Sequence, residues 1–139
     1  MTLQHKPITQ NNVIIVGAGS SGLSLAFYLL KRGVRPLILD AAPSVASSWR
    51  KRHPQLALNT HRLLSALPGM VIPASKGTFV SRDDYIDYLE RYELMLKKEF
   101  NLSIQFGQEV SGIKRVRGGW AVDTPRARYV ASHVVIATG

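Results

Sequence analysis

The feature that most constrains this chain is a glycine turn set between two opposite kinds of periodicity. Val13, Ile14, Ile15 and Val16 form a short, continuous run of β-branched and apolar residues, the pattern of a strand buried on both faces. The run stops at Gly17-Ala18-Gly19-Ser20-Ser21-Gly22. Beyond it Leu23, Ala26, Phe27, Leu29 and Leu30 recur at helical spacing, Lys31 and Arg32 suit a helix C-terminus, and Gly33 suits the C-cap. Pro36 to Asp40 then reads as a second strand. Strand, turn, helix and strand in that order form a βαβ unit, whose two strands should be parallel neighbours. The fold expected is α/β, of Rossmann type, with a mostly parallel sheet.

The remaining segments fill out that frame. Residues 41–80 hold Pro43, Pro54, Pro68 and Pro73 and little periodicity, so long loops with short helical turns are expected. Ser81 opens a second long helix, with Asp83 and Asp84 in its first turn and Tyr85, Leu89, Tyr92 and Leu96 on one face. Leu102 to Phe106 reads as a strand. Glu109–Arg117, Gly119–Thr124 and Arg128–Val130 read as a small antiparallel β-meander inserted before a last buried strand, His133 to Ile136. Residues 1–12 are polar, contain Pro7 and read as a flexible lead-in. One domain then spans residues 13–139, and its abrupt finish at Ala137-Thr138-Gly139 reads as an incomplete C-terminal side.

Several function classes fall away. The 139 residues include no cysteine, which excludes a disulfide framework, a thiolate metal site and a redox-active cysteine pair. Residues 13–30 are uncharged, yet Gly17, Gly19, Gly22, Ser20, Ser21 and Ser24 in their middle do not suit a membrane span or a signal peptide. The net charge of +9 invites a nucleic-acid reading. Its basic residues are scattered apart from Arg50-Lys51-Arg52 and lack an interleaved aromatic stripe, so a solvated surface that also helps an anionic ligand is preferred, with no nucleic-acid partner and no membrane span. His5, His53, His61 and His133 lack metal-ligand spacing, so no metal site is expected.

The glycine turn matches G-x-G-x-x-G, and each glycine has its own mechanical reason. Gly17 permits the tight turn, Gly19 lets backbone approach a pyrophosphate, and Gly22 lets helix and strand pack closely. Free N–H groups and the positive end of the helix dipole then face the phosphates. Asp40 ends the second strand 18 residues past Gly22, where a carboxylate would hold the ribose hydroxyls of an adenosine. That carboxylate, with Ala41 and Ala42 beside it, disfavours a 2′-phosphate and hence NADP in this site; FAD and NAD both remain.

Taken together, Gly17 to Gly22, Asp40, Ser48-Trp49-Arg50, Leu58-Asn59-Thr60, Leu67-Pro68-Gly69, Ser81 to Tyr85, Gly119-Trp120 and the closing Ala137-Thr138-Gly139 resemble the N-terminal part of the flavin-containing monooxygenase family and its bacterial relatives. The resemblance selects FAD as cofactor. It implies cofactor-binding roles for Gly17, Ala18, Gly19, Ser20, Ser21, Gly22, Asp40, Ala41, Ser48, Trp49, Arg50, Asn59, Thr60, Thr138 and Gly139, with Asn59 close to the flavin ring and the candidate for a catalytic part. The implied activity is a cytoplasmic, FAD- and NADPH-dependent monooxygenase that oxygenates a small-molecule nucleophile or carbonyl through a hydroperoxyflavin, with oxygen as co-substrate. This chain has no second G-x-G-x-x-G for NADPH and lacks the family's bridging F-x-G-x-x-x-H motif, so it is expected to carry the FAD part alone. The alternative is a stand-alone flavin- or dinucleotide-binding module, or a remnant without turnover. Residue by residue, Trp49 also reads as a cover for a loop, Arg50 to Arg52 as a solvated basic turn, Asn59 as a turn cap, Tyr85, Tyr88 and Tyr92 as core, and Trp120 as packing.

Overall fold

The computed structural model describes residues 8–139; His5 and the first part of the expected lead-in lie outside them. The elements are β1 (Ile8–Val16), α1 (Ser20–Lys31), β2 (Pro36–Leu39), α2 (Ser47–Arg50), α3 (Arg62–Ser65), α4 (Arg82–Phe100), β3 (Ser103–Gln105), β4 (Gly112–Val116), β5 (Gly119–Asp123) and β6 (Arg128–Ile136), with a 3₁₀ turn at Ala74–Lys76. The strands make one sheet in the order β3-β2-β1-β6-β5-β4. β1 runs parallel to β2 and β6, and β2 runs parallel to β3. β4, β5 and β6 are antiparallel neighbours.

The burial pattern follows from this layering. All four residues of β2 are buried, as a strand covered on both faces requires. On one face Val13, Ile15 and Ile38 meet Leu23, Ala26 and Leu30 of α1 and Tyr88, Leu89, Tyr92 and Leu96 of α4. On the other, Ile14, Val16, Leu37 and Leu39 meet Val122, Ala127, Tyr129 and Ala131. Helix α4 begins where the sequence places it: Ser81 Oγ accepts the Asp84 N–H at 3.1 Å, and Asp83 and Asp84 sit in the first turn against the dipole.

Two expectations are corrected. β1 begins at Ile8, so residues 8–12 belong to the sheet and are not a lead-in; their backbone pairs with β6 from Ile8↔Arg128 to Asn11↔Ala131. The meander is also not a separate insertion. Its third strand and the expected last strand are one element, β6, which carries the antiparallel half and the parallel half of the sheet on a single backbone. Its end is not buried, since Ile136 is 69% exposed.

Three tyrosines of α4 fasten the loop over residues 65–70. Tyr88 Oη accepts the Leu67 N–H at 2.7 Å and donates to the Met70 carbonyl at 2.6 Å, while Tyr92 Oη donates to the Pro68 carbonyl at 2.6 Å. Burial pushes all three phenols, Tyr85 included, above the ordinary tyrosine range, so they remain protonated donors well past neutral pH. Tyr88→Phe leaves a buried N–H and a carbonyl without partners, and is expected to cost about 2 kcal/mol in urea denaturation. An unchanged urea midpoint would show that the loop is held by packing alone.

Candidate functional site

The glycine turn joins the carboxyl end of β1 to the N-terminus of α1, and its three glycines meet different surroundings. Gly17 has φ +113°, and a Cβ there would lie 2.3 Å from the Ala137 carbonyl oxygen. At Gly22 a Cβ would lie 2.0 Å from the Gly17 carbonyl oxygen. At Gly19 it would meet nothing within 4 Å. Two glycines therefore let backbones touch, whereas the third keeps open the approach to the helix. Gly19 is the N-cap of α1 in extended conformation, with no side-chain cap and no acidic residue in the first turn. The first intrahelical bond is Leu23 N–H to the Gly19 carbonyl at 2.9 Å, which leaves the N–H groups of the first turn directed at the cleft.

Asp40 closes the opposite side. Its Oδ2 accepts the Ala18 N–H at 2.6 Å and its Oδ1 accepts the Ala42 N–H at 2.7 Å. One carboxylate thus ties the glycine turn to the chain leaving β2, and it retains lone pairs for further donors. A third wall comes from the end of β6, where the Ala137 N–H donates to the Val16 carbonyl at 2.8 Å.

These walls enclose a hollow of about 170 Å³ lined by Gly17, Ala18, Gly19, Asp40, Ser48, Trp49 and Thr138, all singled out in the sequence. It is also lined by Ala42, Leu89 and Ala137, which the sequence reading named in other connections, and by Ser44, Ala46 and Ser47, which it did not name. An adjoining hollow of about 250 Å³ shares Gly17, Asp40 and Thr138 and extends past Ala41 to Gln108, Glu109 and Val110. Among the described residues no basic side chain lines either hollow, so an anion here would meet backbone N–H groups and the helix dipole instead. Ala46 is left-handed at φ 61°, a conformation a non-glycine residue holds only at some cost, and its carbonyl accepts the N–H groups of Trp49 and Arg50. Trp49 stands edge-on to Tyr85 at 5.0 Å between ring centroids.

Other sequence-selected residues lie elsewhere. Ser20, Ser21 and Gly22 form the first turn of α1 but do not line the two hollows, nor does Gly139. Arg50 donates to the Val45 carbonyl at 2.5 Å and pairs with Glu90 of α4, turning its guanidinium to another partner. Asn59 is exposed, on a loop pinned by Leu58 N–H to the Val80 carbonyl at 2.8 Å. Thr60 Oγ1 lies 2.5 Å from Ser65 Oγ. His61 caps α3 through Nδ1, and Trp120 packs under the Arg115 guanidinium at 5.0 Å. Among the described residues no group of acids and histidines could hold a metal, and no helix is long and apolar enough to cross a membrane.

A parallel sheet whose strands end at a glycine turn, a helix N-terminus and a carboxylate defines a Rossmann-type dinucleotide-binding fold, with its cleft at the carboxyl ends of β1, β2 and β6. The chain belongs to the pyridine nucleotide-disulphide oxidoreductase family, whose model matches residues 14–139. It is 34% identical over 128 residues to the uncharacterized oxidoreductase CzcO of Bacillus subtilis, covering 92% of this chain and 36% of that protein. It is 35% identical over 141 residues to the probable indole-3-pyruvate monooxygenase YUCCA9 of Arabidopsis thaliana, covering 98% of this chain and 33% of that one. A flavin-containing monooxygenase from Stenotrophomonas maltophilia superposes with a TM-score of 0.84 at 27% identity, over 94% of this chain and 39% of that structure. The chain therefore spans about a third of the length of the curated relatives it matches.

Proposed function

We propose that this chain is the FAD-binding segment of a flavin-dependent, NADPH-dependent monooxygenase that acts on a small-molecule nucleophile or carbonyl compound. The observation that carries the reading is the open position at Gly19, above an uncapped helix N-terminus and opposite the Asp40 carboxylate. The monooxygenase relatives point the same way.

In this reading the N–H groups of Gly19, Ser20, Ser21 and Gly22 hold the pyrophosphate, and Asp40 accepts from the adenosine ribose. The hollow past Ala41, with Gln108, Glu109 and Val110, receives the adenine. Ser48, Trp49, Thr138 and Gly139 line the path toward the flavin, where Trp49 and Tyr85 shield the cofactor from water. Arg50, Asn59 and Thr60 belong to the flavin end, and Arg50 would exchange Glu90 for the cofactor. When bound, FAD would supply the redox chemistry, taking a hydride from NADPH and passing electrons to oxygen for transfer of one atom to substrate. The protein positions the cofactor and excludes water.

The test is the absorbance of the purified, desalted protein between about 350 and 500 nm, followed by FAD titration. A flavin spectrum, or saturable FAD uptake, is expected. A colourless chain that ignores FAD would remove the proposal; FAD uptake without NADPH consumption under oxygen would favour a binding module lacking turnover.

A further inference from the structure

We propose that Gln108 reads the base of the bound dinucleotide, its side-chain NH₂ donating to an unprotonated ring nitrogen of the adenine. This role rests on the FAD reading of the cleft and adds to it the side chain that selects the base.

Gln108 follows β3 and is only 8% exposed, so its carboxamide has an oxygen and two N–H groups to satisfy in a nearly buried place. The oxygen is satisfied. Thr124 Oγ1, itself fully buried, donates to Gln108 Oε1 at 2.9 Å, and Thr124 is held in turn by the Ala127 N–H, which donates to Oγ1 at 3.1 Å. The nitrogen is not satisfied. Among the described residues Gln108 Nε2 has no hydrogen-bond partner, yet it is not sealed inside the core. Gln108 lines the hollow of about 250 Å³ beside Asp40, and its unmet donors face that space.

The backbone fixes this position against the ribose carboxylate. The Gln108 N–H donates to the Asp40 carbonyl at 2.9 Å, and the Gly107 N–H to the Ala42 carbonyl at 2.9 Å. The rest of the lining defines what can meet the donors. Asp40 and Glu109 are the charged residues of this hollow among those described, and both are acidic, so a phosphate is repelled. Val16, Leu39, Ala41 and Val110 supply apolar walls, which suit a neutral flat ring. That ring must offer an acceptor, and adenine carries three, N1, N3 and N7, none of them protonated at neutral pH. A donor held in place by Thr124 discriminates because a base lacking the matching acceptor leaves it unmade.

The test is titration of the isotopically labelled chain with ADP and with 1-deaza-, 3-deaza- and 7-deaza-ADP, each of which replaces one ring nitrogen by C–H. In NMR spectra ADP should shift the Gln108 side-chain NH₂ signals together with the Gly19 and Ser20 amides. One of the three analogues should bind about fivefold to tenfold more weakly than ADP. Gln108→Met, which keeps the reach of the side chain without its donors, should lose the preference against that analogue. Gln108→Glu keeps an acceptor for Thr124 Oγ1 and should lose the same preference, which covers the case in which Gln108→Met does not fold. Equal affinity for ADP and all three analogues, or a preference that survives in these variants, would overturn the role of Gln108 and leave the cofactor cleft in place. Gly19 and Ser20 amides that ADP does not move would overturn both readings together.

Discussion

Gly19→Glu is expected to abolish FAD uptake while leaving the thermal melt unchanged, and Gly22→Ala to lower the melting temperature by about 10 °C. The contrast follows from two positions three residues apart in one turn. Gly19 has φ −78° and ψ −175°, extended backbone that any residue adopts, and an added Cβ meets nothing within 4 Å. A glutamate there is tolerated by the fold, and its carboxylate lies favourably at the start of α1. It would, however, occupy the approach to the first-turn N–H groups and repel a pyrophosphate.

At Gly22 a Cβ would stand 2.0 Å from the Gly17 carbonyl oxygen and 3.1 Å from its carbon. That carbonyl cannot retreat easily, because the Gly17 N–H donates to Leu39 O at 2.8 Å and the adjoining Val16 carbonyl accepts from Ala137. Helix α1 must move instead, which opens the contacts of Leu23, Ala26 and Leu30 with the sheet. A forced separation of this kind costs about 3 kcal/mol or more, a fall in Tm of about 10 °C for a domain of this length. Circular dichroism melts and FAD fluorescence quenching on both variants read the two effects separately. A Gly22→Ala protein that melts with the parent would contradict the close packing; a Gly19→Glu protein that still takes up FAD would remove the cofactor from this turn.

The same turn shows what a sequence can carry. Val13 to Val16, the three glycines and Asp40 were legible because strand period, helix period and turn are local properties of contiguous residues. Residues 8–12 were not. Thr9, Gln10, Asn11 and Asn12 lack the apolar pattern of a strand, and they join the sheet because residues 128–131 supply a parallel partner through backbone bonds that any side chain permits. Ser132 and His133 hid the continuity of β6 in the same way, as polar positions inside one nine-residue strand.

The cleft divides along that line too. Gly17, Ala18, Gly19 and Asp40 follow from the βαβ unit, whereas Leu89 reaches the hollow from α4 only through tertiary packing. Ser44, Ala46 and Ser47 lie in a stretch without period, and the left-handed Ala46 has no sequence signature, since alanine is not a residue that favours that region. The resemblance gave Arg50 a contact with the cofactor, but no local rule could foresee Glu90, forty residues on, as its partner.

The second large effect is expected at Asp40, where structure and ligand make opposite demands on one side chain. Its oxygens hold the Ala18 and Ala42 N–H groups, so Asp40→Ala leaves both part-buried donors without partners. Two such losses come to about 2 kcal/mol, less than for fully buried groups because water reaches the cleft. Asp40→Asn keeps one acceptor but turns an NH₂ toward the other N–H, and should fall between Asp40→Ala and the parent in stability. Affinity should not follow the same order. A ribose bound through the carboxylate loses charge-assisted hydrogen bonds in both variants, so FAD binding should weaken by about tenfold to a hundredfold in each. With the negative charge gone, Asp40→Asn should also lose discrimination against a 2′-phosphate and bind 2′-phospho-ADP-ribose and ADP-ribose more equally than the parent. Urea midpoints paired with titrations of FAD and the two ADP-ribose ligands separate these roles. If Asp40→Asn kept the parent's FAD affinity and its preference between the two ADP-riboses while losing stability, Asp40 would be a tie between β2 and the glycine turn, and the ribose would have to be held by other groups of the cleft.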